Sequence, residues 1–357
     1  MSDRRSLWRT RPIAFSMKAP CVLAAVLLAA SCAPDDRALL GSGDVLVEVD
    51  RVELEESPDD PIVGVEYVGE RPDGGYIIAD RHAGRVRLFD SSGRRAEVVG
   101  GPGDGPGELE EPAGAVELPD GRILVVQRGS PRLTIFFPDS APTITDVPGQ
   151  YGFWADRAGR GFVAGVATRD TRFALFDEDG TALSTFASRD PAISETPFWI
   201  YFADEHAATI GDRIAVNTSL FPIVRLFDLT GDSVGVLGEA PPDWAPASAP
   251  PVSDLSGPGN RERIADWSRS FTVVRQIAAV GDSLLVVEYG RHDPRDSNPD
   301  FVTSTTADVY SVSGERLASG LKLPGPVVGG GRRVLVLVAE PPAPWTIVAL
   351  AWRGTER

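Results

Sequence analysis

Apolar residues fall in short blocks along this chain, at no helical spacing. The runs Tyr76–Ala79, Ile123–Val126, Phe162–Ala164 and Ile214–Val216 each begin two or three residues after a glycine, at Gly74, Gly121, Gly159 and Gly211. This is the pattern of strands buried on both faces. A glycine opens each run at a nearly constant distance from an aromatic anchor: Gly74, Gly121, Gly159 and Gly211 precede Phe89, Phe136, Phe176 and Phe227 by 15, 15, 17 and 16 residues. The anchors end a second, recurring strand, Arg85–Phe89, Arg132–Phe136, Arg172–Phe176 and Ile223–Phe227, with looser copies at Thr306–Tyr310 and Thr346–Leu350. Turn sequences follow them, such as Asp90-Ser91-Ser92-Gly93 and Asp177-Glu178-Asp179-Gly180, where glycine supplies the positive φ of a tight hairpin.

Six copies at intervals near 40–50 residues, one interval lengthened by insertions, match the period of a four-stranded propeller blade. The expected architecture is all-β, a six-bladed β-propeller of four-stranded antiparallel blades, with a seven-bladed ring as the alternative count. The blades are expected at 62–99, 113–147, 151–187, 198–237, 271–321 and 327–353. The last is one strand short, and Val45–Val49 is expected to supply it and close the ring, because an open ring leaves sheet edges uncovered.

Composition agrees with this reading. The 357 residues include 37 Gly and 30 Pro, which suits many tight turns, and 42% apolar residues, enough for a large core. A formal charge of −16 disfavours nucleic acid as a partner.

Cys21 and Cys32 are the only cysteines. Both lie in an apolar stretch too short to span a membrane but of signal-peptide length. Its end, Leu28-Ala29-Ala30-Ser31-Cys32, resembles a bacterial lipobox, which implies a signal peptide over 1–31, a lipid on Cys32 and a tether over 32–44. An ordinary signal peptide cut nearby is the alternative. Met17-Lys18 begins a compact signal by itself, so Met17 is the expected start, while Arg4-Arg5 faintly resembles a twin-arginine signal. Removing 1–31 takes the formal charge from −16 to −20.

The linker Gly100–Pro112 with Pro119–Val126, and the strand Tyr76–Asp80, resemble NHL-repeat propellers, and the mature chain resembles the six-bladed TolB-like propeller lipoproteins of bacteria. The resemblance implies a propeller over 45–357, with insertions at 239–270 and 290–303, in a bacterial cell envelope.

In a four-stranded meander, loops after the second and fourth strands emerge on one face. The long connections, 100–112, 188–197, 239–270 and 290–303, all belong to that class, so the loop-rich face is the expected binding face. Second strands end there with Asp80, Gln127, Asn217 and Glu288, a candidate polar ring whose alternative role is to tie the following turns. His82 and His292 lie in loops on that face, and His206 lies on or near an inner strand. Scattered histidines without metal-ligand spacing favour solvated or turn roles. Trp244 and Trp267, in and just after a Pro-rich insertion, are binding candidates by virtue of their large contact area, with docking onto the propeller as the alternative. Ile264–Trp267 is expected to form a helical turn.

The sequence lacks a nucleophile elbow or metal-ligand motif. The expected function is therefore an envelope-anchored binding or scaffold protein whose partners are the membrane, through Cys32, and an envelope protein, peptide or glycan. No cofactor is expected. The alternative is a calcium-dependent hydrolase of the gluconolactonase and paraoxonase kind, with Asp80, Asn217 and Glu288 as oxygen ligands.

Overall fold

The chain divides into Met1–Ala38 and Leu39–Arg357. The computed structural model describes residues 45–128, 130–150, 152–166, 168, 170–188, 204–252, 257–291, 305–338 and 344–353 of the second unit. The expected signal peptide over 1–31, Cys32 and the expected tether, His292 and nearly all of the 290–303 insertion lie outside the described residues. Among those described, no helix is long and apolar enough to cross a membrane.

Six separate sheets of four antiparallel strands form the six blades. Each of the first five is a simple meander, and blade one runs Val65–Glu70, Tyr76–Asp80, Arg85–Phe89, Arg95–Gly100. Blades two to five span 112–146, 152–188, 205–237 and 272–322. Blade six takes Val327–Gly329, Val334–Val338 and Thr346–Trp352 from the C-terminal end of the chain and its outermost strand, Leu46–Glu53, from the N-terminal part. The count of six and the closing strand are thus as the sequence predicts. Leu46 pairs with Trp352 and Glu53 with Thr346, so the hydrogen bonds that seal the ring join segments about 300 residues apart in the chain.

The anchors hold equivalent registers. Phe89 pairs with Tyr76, Phe136 with Ile123, Phe176 with Phe162, Phe227 with Ile214 and Tyr310 with Leu285. Phe89, Phe176 and Phe227 are buried, while Phe136 is half-buried. Their burial follows from the pleat: alternate residues of a strand point to opposite sheet faces, and in a propeller both faces meet a neighbour.

Six apolar clusters accordingly sit one at each blade junction. Ile77, Val86 and Leu88 of blade one meet Ala115, Ile123 and Val125 of blade two. Tyr76, Ile78 and Phe89 meet Leu335, Leu337 and Ile347 of blade six, and the other four junctions are built alike. Gly93 (φ 82°) turns the outer hairpin of blade one against the closing strand, where a Cβ would collide with the Glu53 carbonyl. Its own carbonyl accepts the Glu55 N–H at 2.8 Å, which pins the ring closure.

The Pro-rich insertion is not a loose flap over its described part. It carries a helix, Asn260–Ser268, longer than the expected turn. Ile264 and Trp267 of that helix pack with Leu220, Phe271 and Val273 in a satellite core.

Candidate functional site

The four second-strand termini do not form a ring around the channel. All are buried, at 0–3% exposure. Asp80 accepts the N–H groups of Val63, Gly64 and Ala83 and pairs with Arg87. Gln127 accepts Glu110 N–H at 2.6 Å and donates to Thr134 Oγ1 at 3.0 Å. Asn217 donates to the carbonyls of Phe221 and Ile223, both at 2.8 Å. Glu288 accepts Val327 N–H of the next blade at 3.2 Å, and burial pushes its carboxyl up to about 7.

Strand parity explains the dispersal. Asp80 and Gln127 lie four residues past the partners of their anchors, Tyr76 and Ile123, whereas Asn217 and Glu288 lie three past Ile214 and Leu285. The first two therefore point towards the preceding blade and the last two towards the following one. As turn ties they satisfy backbone N–H and C=O groups that burial would otherwise orphan.

This donor set does not fit calcium. Among the described residues no three His, Cys, Asp or Glu side chains gather where they could hold a metal ion, and a calcium site needs six to eight oxygens. Nothing in the geometry supports the hydrolase reading.

Of the other candidates, the two tryptophans are structural. His82 is exposed and lies against Gly64. Trp244 packs edge-on to Tyr289 at 5.9 Å, and Trp267 is buried against Phe271 with its indole N–H donated to Ser248 O at 3.1 Å. Both tryptophans dock onto the fold. His206 falls on the first strand of blade four, as expected, where burial pushes its pKa down against the opposing pull of Asp204.

A cavity opens on the other face, where first strands turn into second strands. It measures about 480 Å³ and is walled by all six blades: Tyr67, Gly69 to Pro72, Ala115 to Glu117, Asp156 and Arg157, Thr209, Asp282, and Gly330 to Arg332. Below it the channel pinches to about 20 Å³, between Tyr67, Trp154, Asp156, Gln276 and Val328, room for roughly one water. Tyr67 and Asp156 border both spaces and so form the neck. Tyr67 reaches that point because residue 69 is glycine: a Cβ there would lie 2.8 Å from the Tyr67 hydroxyl.

The rim is stitched blade to blade. Arg71 grips Glu117 with two hydrogen bonds, of 2.6 and 3.0 Å, and Glu70 receives Arg332 at 3.0 Å and Arg333 at 2.8 Å. Among the described residues Asp156 makes no such ion pair. Its oxygens accept the N–H groups of Arg157 at 2.8 Å and Thr209 at 3.0 Å, and the Thr209 hydroxyl lies beside it. Burial pushes its carboxyl up to about 6, and the same burial, with the Asp156 charge, holds the Tyr67 phenol well above its ordinary range.

Sequence reasoning missed Tyr67, Asp156 and Thr209. A signal exists, since Glu70, Glu117 and Asp156 are acidic residues at or near the ends of successive first strands. Only closure of the ring turns those ends towards one point.

No family model and no curated protein matches the chain. Solved structures match at the level of fold. One is a protein named as exported from Bacteroides fragilis, 11% identical, covering 87% of this chain and 96% of that one with a TM-score of 0.57. Another is a member of the DUF4221 family from Bacteroides vulgatus, also 11% identical, covering 88% of this chain and 100% of that one with a TM-score of 0.60.

Proposed function

We propose that this protein is a binding module of the bacterial cell envelope, held at a membrane by a lipid on Cys32, which takes its ligand in the mouth of the propeller channel. The observation that supports this is the cavity of about 480 Å³ to which all six blades contribute. It lies within the range of about 300–1,000 Å³ usual for small-ligand sites, on a scaffold whose closed ring holds the wall residues in place. The exported Bacteroides protein of similar fold accords with the export expected from residues 1–32. The site proposed is thus on the short-turn face; the loop-rich face, favoured by loop length alone, is the second reading, because a folded helix and satellite core stand there.

The test uses the scarcity of thiols, since the only cysteines are Cys21 and Cys32. Arg157 is exposed at the cavity rim, and Arg157→Cys carrying a bulky maleimide should plug the mouth. A panel of amines, carboxylates and sugars is screened by melting temperature on the unlabelled and labelled full chain. At least one class should stabilise the unlabelled protein and lose its effect on the labelled one. Stabilisation that survives the label would move the site to the loop-rich face.

A further inference from the structure

The charged groups of the cavity are unequal in one respect that bears on its ligand. Glu117 is neutralised by Arg71, and Glu70 by Arg332 and Arg333. Of the four wall carboxylates, Asp156 and Asp282 have no cation within ion-pair distance among the described residues. Asp282 is exposed at the rim; Asp156 sits at the neck, where the space beneath holds no more than about one water. A carboxylate so placed is held by two backbone N–H groups and lacks a counter-charge, an arrangement that costs free energy unless something positive completes it.

We propose, resting on the channel-mouth reading above, that the cavity binds a compact aliphatic ammonium ion, with its charged head on Asp156 and its methylenes against the Tyr67 ring and the apolar wall at Ile77 and Ala115.

Other ligand chemistries fit worse. An anion would meet Asp156 at the floor and a chain of formal charge −16 on approach, while two of the three wall arginines, Arg71 and Arg332, are already engaged. The third, Arg157, is exposed at the rim, and its charge already acts on Asp156. A bare metal ion would find one carboxylate at the neck and no cluster of ligating side chains among the described residues. An ammonium ion needs less: one carboxylate, hydroxyl acceptors such as Thr209 beside it, and an aromatic face, which attracts cations. Among the described residues the space beneath the neck is about 20 Å³, so the ligand is held at the neck.

Titration separates this ligand from a neutral one. Asp156 is half-buried, and desolvation pushes it up to about 6; it faces Tyr67 from blade one, Thr209 from blade four and Gln276 from blade five, with Arg157 its neighbour in the chain. An alkylamine stays protonated throughout the accessible range. Its binding should therefore be full above about pH 7 and fall roughly tenfold by about pH 5, one unit below the titration.

The experiment is isothermal titration of the full chain with putrescine, with 1,4-butanediol as its uncharged counterpart and succinate as its anionic one. Putrescine should bind at millimolar concentration or below, the diol at least about tenfold more weakly and succinate not at all. Asp156→Asn should abolish the pH dependence and weaken putrescine at least about tenfold; the comparison of ligands and of pH on the unaltered protein needs no variant. Equal binding of putrescine and the diol, or no binding of putrescine, overturns the proposal. If succinate or a sugar binds instead and the label on Cys at position 157 blocks it, the ammonium assignment fails while the channel-mouth site stands. If nothing the label blocks binds at all, the site itself is elsewhere.

Discussion

Arg87 Nε donates to Asp80 Oδ2 at 3.0 Å, and both side chains are enclosed, at 1% and 0% exposure. The guanidinium is saturated by Asp60 as well, at 2.8 and 2.9 Å, and by the Pro61 carbonyl at 2.8 Å. Asp80 in turn clamps the linker that enters blade one, through Val63 and Gly64. What looks from the sequence like a channel-mouth ligand is the centre of a buried network.

Asp80→Ala should therefore act on stability first. Its loss leaves the Arg87 Nε–H and the N–H groups of Val63, Gly64 and Ala83 without their acceptor, while Asp60 still balances the guanidinium charge; a buried donor left unsatisfied costs about 1–3 kcal/mol. Urea denaturation should show that loss, with ligand binding at the channel mouth unchanged in the fraction that remains folded. A stability within about 0.5 kcal/mol of the unaltered protein would contradict the network.

Phe89→Ala and Phe136→Ala test the repeat register against burial. Phe89 is wholly buried in the junction that closes the ring, whereas Phe136 is half-buried at the next one. Truncating a buried phenylalanine costs about 3–5 kcal/mol including its cavity, so Phe89→Ala should lower the melting temperature markedly more than Phe136→Ala. Calorimetry of the two variants decides the order.

Glu288 makes stability depend on pH in an unusual direction. Its carboxyl is raised from 4.5 to about 7 by burial, so between those values the folded state holds more of the proton than the unfolded chain does. By linkage, its contribution to stability falls as pH rises from about 4.5 to 7 and stays low above that. Glu288→Gln should remove this slope, leaving the variant more stable than the unaltered protein at pH 8 relative to pH 4.5. Urea midpoints measured across that range would reveal it; an unchanged slope would place the titration elsewhere.

Cys32 is the proposed point of membrane attachment, because a chain of formal charge −16 has little electrostatic attraction to an anionic lipid surface. Cys32→Ala should abolish incorporation of labelled palmitate and release the protein from the membrane fraction. Label retained by the variant would refute the lipobox.

The blade count, the strand order and the closing strand were all legible in the chain. They depend on local patterns, a glycine, an apolar run and an aromatic anchor at constant spacing, which set strand, turn and face by short-range geometry. The half-buried state of Phe136 was not legible, because its register is that of Phe89 and only the packing of its neighbours differs. The candidate ring of Asp80, Gln127, Asn217 and Glu288 failed for a related reason: a one-residue difference in position, invisible in a loose alignment, sends a side chain to the opposite face of its sheet. The channel mouth lay furthest from view. Tyr67, Asp156 and Thr209 belong to blades one, three and four, and nothing in the local sequence of any one of them speaks of the others. Ring closure sets the distance between them and partly desolvates Asp156, and that placement is a property of the assembled blades alone.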